Sequence, residues 1–526
     1  MSAPARIALI GLPGTGKTTL APQLAERLGW ACADTDDEIT ASTGRTPAAI
    51  LEDGGEPALR AAEAGILKQV LECDRPTVIA CGGGLPTSAT ALRMLLDTAT
   101  VVWLDAPDSE LIGRIGDAAG RPLLAGDPPR RMAELRSARL GAYETANLRV
   151  SASGTPRQVT DCIVAALAGI VRVRVAERSY HVAVHPGAIA EIPLHLPARC
   201  ARVAVIADRE VKDVTHRVAA SIRRDGRATT VIELGGGEPA KTWTSAGRLL
   251  QRLGAAGIQR SDCIIAVGGG SIGDVAGFAA ATHLRGVQWI CVPTTLLAMV
   301  DSAVGGKTGI NLARGKNQAG AFWQPRAVLC DATVLDTLPD RAYRSAFAEI
   351  VKYSMVVEDG LVPILDRQLE QLLRRDAELL TDTVRRCCAV KADIVAIDER
   401  EAGPRAILNY GHTVGHALEA ATGYGDTLTH GEAVAVGMRV AGRLSISRLG
   451  CPSGDISWQD EVLRRCGLGG GPALEPPAVI KLIGADKKRS GPRVGWVLLE
   501  SRGVPRFGQV VPEPEVEATL TEVLAA

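Results

Sequence analysis

The segment "GLPGTGKT" (11–18) directly follows the apolar run "RIALI" (6–10) and opens the run "TTLAPQLAERLG" (18–29), whose apolar residues have helical spacing. It matches G-x-x-x-x-G-K-[ST] between a strand and a helix. In that position the backbone N–H groups of 14–18 and the helix dipole hold phosphates. Lys17 then reaches the β- and γ-phosphate oxygens, and Thr18 ligates Mg²⁺. The predicted nucleotide-binding residues are Gly14, Thr15, Gly16, Lys17, Thr18 and Thr19. A plain glycine-rich turn is the alternative.

Short β-like runs alternate with helical stretches around this segment, which predicts an α/β fold with a doubly wound parallel sheet over residues 1–168. A linker is predicted at 169–178, followed by a second α/β domain over 179–335. Strand signals fade after that, and 336–526 is predicted to be a mainly α-helical domain with one late β-like run. The expected strands are "TVIACGGG" (77–84), "TVVWLD" (100–105), the alternating "SYHVAVHPGAIAEI" (179–192), "RVAVIAD" (202–208), "CIIAVGGG" (263–270), "VQWICVP" (287–293) and "RVGWVLLE" (493–500).

The composition excludes several classes of protein. Lys+Arg and Asp+Glu both total 59 in 526 residues, so no net charge attracts nucleic acid or anionic lipid. The 12 cysteines are scattered without a C-x-x-C pair, a pattern that fits a reducing compartment. No apolar run approaches the ~18 residues of a membrane helix. We therefore expect a cytoplasmic protein without nucleic-acid or membrane partners.

A second group of candidate residues lies near the end of the chain. "NYGHTVGHALE" (409–419) sets His412 and His416 on one helical face, although an isolated pair of this spacing often lies in a protein core. "HGEAVAVGM" (430–438) adds His430 at a helix start, and "FAEIVKYS" (347–354) puts Glu349 and Lys352 on one face. One glutamate and two histidines form a zinc ligand set with a position left open for substrate.

A glycine cluster, "VGGGSIGDVAGF" (267–278), follows an expected strand and begins an expected helix. Its backbone amides can face a pyrophosphate, although the pattern departs from G-x-G-x-x-G and is weak evidence alone. The segments "GGGEPAKT" (235–242), "VPTTLLAMVDSAVGGKTGIN" (292–311) and "GKNQAGAF" (315–322) accompany it.

Residues 1–168 resemble shikimate kinase through "ADTDDEI" (33–39), "GGEPALR" (54–60), "CGGG" (81–84), "GRPLL" (120–124) and "RLGAY" (139–143). The resemblance implies that Asp34 helps to place Mg²⁺ and that Asp36 binds the shikimate hydroxyls and takes the proton. Arg60 and Arg139 would clamp the carboxylate. Gly83 and Gly84 would admit the ring, and Arg121 would lie in a lid over the phosphates of ATP. Leu59 stands where the family usually has phenylalanine, so we expect a reshaped pocket wall. Another small-metabolite kinase of the same class is the alternative.

Residues 170–526 resemble 3-dehydroquinate synthase, which implies a catalytic NAD⁺, zinc (or cobalt) on Glu349, His412 and His430, and the substrate 3-deoxy-arabino-heptulosonate 7-phosphate. Arg285 would reach across the interface of a homodimer. Lys307, Lys352, Arg405 and His416 would act in catalysis. By the same resemblance NAD⁺ is held by Asp208, Glu238, Lys241, Gly269, Gly270, Asp274, Thr294, Thr295, Lys307, Lys316 and Thr337. The substrate is held by Asp301, Lys307, Lys316, Lys352, Lys391, Arg405, Asn409, His416 and either Lys487 or Lys488.

Two other interpretations of the second half remain. A metal-dependent alcohol dehydrogenase shares the glycine cluster and the metal, but it has no need for lysines at 307, 316, 352 and 391. A binding or scaffold protein explains none of these residues. The two resemblances instead belong to one pathway, the synthesis of chorismate precursors, which gives a reason for their fusion in one chain.

Overall fold

The protein is described from a computed structural model that covers residues 5–116, 124, 126–313, 315–357, 360–423, 427–471, 474–490 and 495–525, without the side chains of 165, 168, 177 and 484–490. The chain forms two compact units. The first contains Met1–His181 and Pro193–Cys200, and the second contains Val182–Ile192 and Ala201–Ala526. No helix of the described ranges is long and apolar enough to cross a bilayer.

The first unit is built on a parallel sheet in which the described strands have the order β2-β3-β1-β4-β5. The central strand β1 is buried along its whole length, and the strand order reverses beside it. Ligands of such sheets bind at this switch point, beyond the carboxyl ends of the strands. The strands are β1 (Arg6–Ile10), β2 (Ala31–Asp34), β3 (Thr77–Ala80), β4 (Thr100–Asp105), β5 (Leu148–Ser151) and β6 (Ile170–Val173). The helices are α1 (Lys17–Leu28), α2 (Thr35–Thr43), α3 (Pro47–Glu72), α4 (Ala89–Thr98), α5 (Asp108–Ile115), α6 (Pro128–Tyr143), α7 (Pro156–Ala168) and α8 (Ile192–His195).

The second unit starts with another sheet, in which the strands β14-β11-β10-β8-β9 are neighbours and pair in parallel. An antiparallel hairpin, β12–β13, projects from this part. The strands are β7 (Tyr180–Val184), β8 (Arg202–Asp208), β9 (Ala228–Leu234), β10 (Cys263–Gly268), β11 (Gln288–Pro293), β12 (Lys307–Leu312), β13 (Gly315–Phe322) and β14 (Ala327–Cys330). The helices are α9 (Lys212–Arg224), α10 (Trp243–Ala255) and α11 (Gly270–Thr282).

The remainder of the second unit is mainly helical, as predicted. It consists of α12 (Asp340–Ser345), α13 (Phe347–Val356), α14 (Leu361–Arg367), α15 (Leu369–Leu373), α16 (Ala377–Ile397), α17 (His412–Ala421), α18 (His430–Leu449), α19 (Ser453–Arg465), α20 (Pro476–Ser490) and α21 (Glu513–Ala525), with the antiparallel hairpin β15 (Trp496–Ser501) and β16 (Val504–Gln509). The predicted fold class is confirmed: a P-loop-type parallel sheet is followed by an α/β part and a helical part.

Three local expectations differ from the structure. The segment around β7 was expected to alternate between buried and exposed residues, but all five residues of β7 are buried. Such continuous burial is typical of strands inside α/β sheets. The rest of that segment turns into a 3₁₀ helix, Ala188–Glu191. Strands β2, β5, β6, β9, β12, β13, β14 and β16 have no counterpart among the expected strands. Of these, β13 and β16 carry small and charged residues that break the apolar period, and both lie in two-stranded hairpins.

Candidate active sites

The first site is the loop between β1 and α1. Gly14 and Gly16 have φ angles of 85° and 86°, which side chains other than glycine rarely adopt. The Lys17 ammonium group donates to the carbonyl oxygens of Gly11, at 2.9 Å, and Leu12, at 3.2 Å. Together with Thr15, Thr18 and Thr19, the loop lines a cavity of about 600 Å³. The predicted phosphate-binding residues therefore line one cavity.

Two carboxyl groups stand at the floor of this cavity. The Thr18 hydroxyl donates to Asp34 Oδ2 at 2.8 Å, and Asp34 Oδ1 accepts the backbone N–H of Asp36 at 3.0 Å. Burial raises the pKa of Asp36, and the neighbouring Asp34 charge raises it further. Burial also lowers the pKa of Lys17 to about 8. Thr18 and Asp34 together offer the oxygen atoms that Mg²⁺ prefers, and a carboxylate with a raised pKa suits proton transfer.

The predicted shikimate-binding arginines lie against the glycines that follow β3. A Cβ atom on Gly83 would come within 3.0 Å of Arg139 Nη1, and one on Gly84 would come within 2.1 Å of Arg60 Nη2. Only glycine lets both guanidinium groups approach this closely. Leu59 packs in a small apolar cluster with Ile39, Ile50 and Ile66. Leu59, which stands where the family usually has phenylalanine, is therefore part of a local hydrophobic core.

Several residues near this site were not predicted. Glu63 is buried and pairs with Arg60 at 2.5 Å, while Glu56 pairs with the same guanidinium group at 2.8 Å. Arg114 lines the nucleotide cavity and donates to the Ala152 carbonyl oxygen at 2.8 Å. In the sequence, these two pairs are indicated only by helical spacing on α3, since Glu63 lies three residues after Arg60 and Glu56 lies four residues before it. Arg121 lies outside the described residues.

The second site brings together Glu349 of α13, His412 at the start of α17 and His430 at the start of α18. Their ligand atoms all lie within 4.8 Å of one another. Glu349 Oε1 is 3.5 Å from His412 Nε2 and 3.4 Å from His430 Nε2. The other ring nitrogens face the Tyr410 carbonyl oxygen and Glu419 Oε2, each at 3.2 Å. Each histidine therefore presents Nε2 to a shared point, with Nδ1 held by an oxygen, as in protein zinc sites.

The charges of this triad fit a divalent cation. Glu349 is fully buried, and neither of its carboxylate oxygens accepts a hydrogen bond from a described residue, although the Lys352 ammonium group lies beside it. Burial opposes ionisation, but Lys352 and His430 lower the pKa of Glu349 to about 2. Burial lowers the pKa of His412 to about 3, so this ring is neutral. A buried carboxylate oxygen within 3.5 Å of two imidazole Nε2 atoms is a donor set that suits a metal ion.

Positively charged groups surround the triad. Lys391 donates to Asp301 Oδ1 at 2.6 Å, and the Tyr353 hydroxyl donates to the same oxygen at 3.1 Å. Burial raises the pKa of Asp301, but Lys391 and Lys352 hold it well below its usual value. The His416 ring centroid is 5.3 Å from that of His412. His416 lines the cavity that also contains His430, whereas His412 does not line it and belongs to the triad.

Glu401, which was not predicted, joins two of the predicted substrate-binding residues. It pairs with Lys307 and accepts a hydrogen bond from Asn409 Nδ2 at 2.9 Å. Its own φ angle is 56°, in the left-handed region. Arg405 is buried nearby in sequence and donates to the Glu399 carbonyl oxygen at 2.6 Å. These contacts order the cationic groups before any anionic substrate arrives.

The glycine cluster between β10 and α11 lies on the same cavity, of about 680 Å³, as His416 and His430. A Cβ atom on Gly270 would come within 2.7 Å of Ser302 Oγ, and one on Gly269 within 3.2 Å of Thr295. Glu238, Lys241, Asp274 and Lys316 line this cavity as well. Five of the eleven predicted dinucleotide residues thus line one cavity with His430, a member of the triad. Thr294 is buried directly after β11, where its N–H donates to the Gly268 carbonyl oxygen at 2.9 Å.

Three other predicted residues, Asp208, Thr337 and Arg285, do not line this cavity. The Asp208 carboxylate lies against Gly236, and Thr337 lines another cavity of about 1090 Å³ with Arg209. Arg285 is exposed on a 3₁₀ turn where Leu284 and Arg285 have φ angles of 51° and 65°. The side chains of Lys487 and Lys488 lie outside the described residues. Asn317, missed in the sequence, contacts Lys241 from the hairpin β12–β13.

Comparison with known proteins assigns each half of the chain to a protein family. Residues 212–345 and 346–489 match the models of the 3-dehydroquinate synthase N-terminal and C-terminal domains. A 3-dehydroquinate synthase of Pelobacter propionicus is 44% identical over 310 residues, or 58% of this chain and 85% of the relative. The chain belongs to the 3-dehydroquinate synthase family. Residues 13–168 match the shikimate kinase model, so this family member also carries a shikimate kinase domain, and both enzyme activities are assigned to the chain.

Two further relatives of the synthase half extend the comparison. The 3-dehydroquinate synthase of Caulobacter vibrioides is 42% identical over 363 residues, which are 67% of this chain and 98% of that relative. A 2-deoxy-scyllo-inosose synthase solved with carbaglucose-6-phosphate, NAD⁺ and Co²⁺ is 27% identical, with a TM-score of 0.61 over 67% of this chain and 99% of that one.

Proposed function

We propose that the first site transfers phosphate from ATP to the 3-hydroxyl group of shikimate with Mg²⁺ bound. The supporting observation is the shared space of the phosphate loop, Asp34, Asp36 and Gly83. Lys17 and the loop amides orient the phosphates, and Arg121 is expected to close over them. Asp36 accepts the hydroxyl proton, while Arg60 and Arg139 hold the carboxylate through paired hydrogen bonds.

We propose that the second site converts 3-deoxy-D-arabino-heptulosonate 7-phosphate to 3-dehydroquinate and releases phosphate. The observation that carries this proposal is the triad of Glu349, His412 and His430, of which His430 lines one cavity with Gly270, Lys241 and Lys316. When bound, zinc or cobalt would polarise a substrate hydroxyl group, and NAD⁺ would accept and later return its hydride. The residues of the chain bind, orient and neutralise a substrate that has two anionic groups, a carboxylate and a phosphate.

Each cationic group has a task in this scheme. Lys352, which is buried, and Lys307, whose side chain is half exposed, offset the phosphate and the developing negative charge. The resemblance assigns Lys391, Arg405, Asn409 and His416 to the carboxylate, which costs free energy to bury unless it is paired. Lys487 or Lys488 would close the same pocket. A metal-dependent alcohol dehydrogenase would have no use for so many cations around one substrate.

Two assays on the purified full-length chain test the proposed function. Phosphate release from the heptulosonate phosphate should require NAD⁺ and zinc, and ADP formation with shikimate should require Mg²⁺. Failure of either reaction, with metals and cofactors supplied, contradicts that half of the proposal. We also propose a homodimer in which Arg285 completes the partner's synthase site; a monomer in sedimentation that retains full synthase activity contradicts it.

A further inference from the structure

The carboxylate of Glu419, near the end of α17, stands between a metal ligand and a lysine. Glu419 Oε2 is 3.2 Å from His430 Nδ1, and Glu419 Oε1 accepts from the Lys316 ammonium group at 3.1 Å. The carboxylate is mostly buried, with 7% of the residue exposed. Its two oxygens therefore contact two different parts of the unit, a helix start in the helical part and the hairpin strand β13.

The same lysine also contacts the predicted dinucleotide residues. Lys316 Nζ is 3.3 Å from Glu238 Oε1, and the other oxygen of Glu238 accepts from Asn311 Nδ2 at 2.5 Å. Glu238, Lys316 and Glu419 line the cavity that also holds Gly270 and Asp274. A continuous series of polar contacts thus runs from His430 through Glu419 and Lys316 to Glu238.

We propose that the Glu419–Lys316 ion pair couples occupancy of the metal centre to affinity for the dinucleotide. The inference rests on the proposed cofactors of the synthase site and adds a dependence between them. Glu419 is a positioning residue: it holds the Nδ1 side of His430 and the ammonium group of Lys316, whereas the metal and the dinucleotide are bound by other groups.

The sign of the coupling follows from preorganisation. A histidine bound through Nε2 donates its Nδ1–H to an acceptor, which fixes the ring and the acceptor together. Metal binding therefore holds Glu419 in one rotamer, and Glu419 holds Lys316 beside Glu238. A dinucleotide that meets an ordered Lys316 and Glu238 loses less conformational entropy on binding. Because coupling is reciprocal, the dinucleotide must tighten metal binding by the same factor.

Titrations of the metal-stripped full-length chain test the coupling. The dissociation constant of NAD⁺ is measured with and without saturating Zn²⁺, and that of Zn²⁺ with and without saturating NAD⁺. For the wild type, we expect at least about fivefold tighter binding of each ligand when the other is present. The coupling is measured by the ratio of a ligand's dissociation constant without the other ligand to its dissociation constant with it, and not by the absolute affinity.

Two variants and a control test whether the coupling depends on Glu419 and Lys316. Glu419→Gln should weaken Zn²⁺ binding by about 10- to 100-fold and bring the ratio to about one. Lys316→Gln leaves the contact between Glu419 and His430 in place, so its Zn²⁺ affinity without NAD⁺ should stay near the wild-type value while its ratio also falls to about one. Glu500→Gln removes an exposed carboxylate, paired with Arg506 on the hairpin β15–β16, and should match the wild type throughout.

A wild-type ratio of one, or an unchanged ratio in both variants, overturns the inference. Failure of the wild type to bind Zn²⁺ or NAD⁺ at all contradicts the proposed function instead. If Glu419→Gln fails to fold, as judged by its circular dichroism spectrum, the half-buried Lys316→Gln variant decides the question alone.

Discussion

The proposed phosphate site of the first unit is one backbone loop, whereas the candidate metal centre of the second unit is formed by side chains of three separate helices. In the first site, eight consecutive residues, 11–18, run from the end of β1 into the first turn of α1 and supply the loop and the lysine. In the second, Glu349, His412 and His430 meet only because α13, α17 and α18 pack together. The first site therefore depends on local backbone geometry, and the second depends on tertiary packing.

The two sites also differ in how they hold their charges before ligands bind. Lys17 rests on backbone carbonyl oxygens of its own loop, which are neutral partners that a phosphate can replace at small electrostatic cost. Lys352 and Lys391 instead pair with the buried carboxylates Glu349 and Asp301. Removal of one partner from such a pair leaves an uncompensated buried charge. We therefore expect substitutions in the second site to disturb both structure and function.

The largest expected effect is loss of the metal in Glu349→Ala. The change removes the anionic ligand of the triad, so zinc affinity should fall by more than the roughly 10- to 100-fold typical of outer-sphere partners. It also leaves Lys352 without its counter-ion, so Glu349→Gln, which keeps the side-chain volume, is measured in parallel. Elemental analysis after dialysis should find little zinc in either variant and wild-type zinc in Glu461→Ala, an exposed control. Full zinc occupancy in Glu349→Gln would exclude Glu349 as a ligand.

Lys17→Ala should affect the first site alone. Loss of a cation that stabilises the transferring phosphate should lower kcat for shikimate phosphorylation by about 10²–10³-fold. The synthase rate should remain close to that of the wild type, because the loop lies in a unit with its own core. Lys68→Ala, on the exposed face of α3, is the matched control. A folded Lys17→Ala protein with little synthase activity would refute the independence of the two sites.

Arg405→Ala is expected to have a smaller effect, confined to the carboxylate of the heptulosonate. Loss of one charged hydrogen bond costs about 1.5–3 kcal/mol, or roughly ten- to a hundred-fold in kcat/KM. Because Arg405 is buried, Arg405→Lys is included to retain the charge, and thermal unfolding reports on structure. The wild type should use sedoheptulose 7-phosphate, which lacks the carboxylate, poorly. Faster cyclisation of that sugar than of the heptulosonate would contradict the substrate assignment.

The smallest expected effect is a pH dependence of ATP binding. Burial lowers the pKa of Lys17 to about 8, so the free protein loses this charge as the pH rises through 8. If bound phosphates keep Lys17 protonated, the dissociation constant of ATP should increase about tenfold between pH 7 and pH 9. Lys17→Arg stays charged over this range and should show no such increase. Equal pH profiles for the two proteins would remove Lys17 as the titrating group.

The difference between the sites also decides how much of each could be predicted. The phosphate loop follows from one contiguous segment, and its strand and helix occur where the sequence places them. The metal triad was predicted because histidine and glutamate carry a recognisable chemistry even when they are far apart in sequence. The fold class was predicted because buried strands such as Arg202–Asp208 are uninterrupted apolar runs.

Several of the residues that were missed are acidic partners of predicted cations. Glu63, Glu401 and Glu419 have no distinctive motif, and each is defined by the tertiary contact it makes. The hairpin β12–β13 was missed because "GKNQAGAF" has no alternating apolar period, and it supplies Lys316 and Asn317 to the site. Sequence patterns identified groups that perform chemistry, but the groups that orient them became visible only in the packed structure.

Selective metal removal tests most directly the claim that one chain holds two independent active sites. The wild-type protein is treated with a zinc chelator, returned to buffer with Mg²⁺, and assayed for both reactions in the same sample. We predict that phosphate release from the heptulosonate phosphate is lost, that added zinc or cobalt restores it, and that ATP-dependent shikimate phosphorylation is unchanged throughout. Loss of both activities, or retention of the synthase activity after complete removal of the metal, would contradict the account.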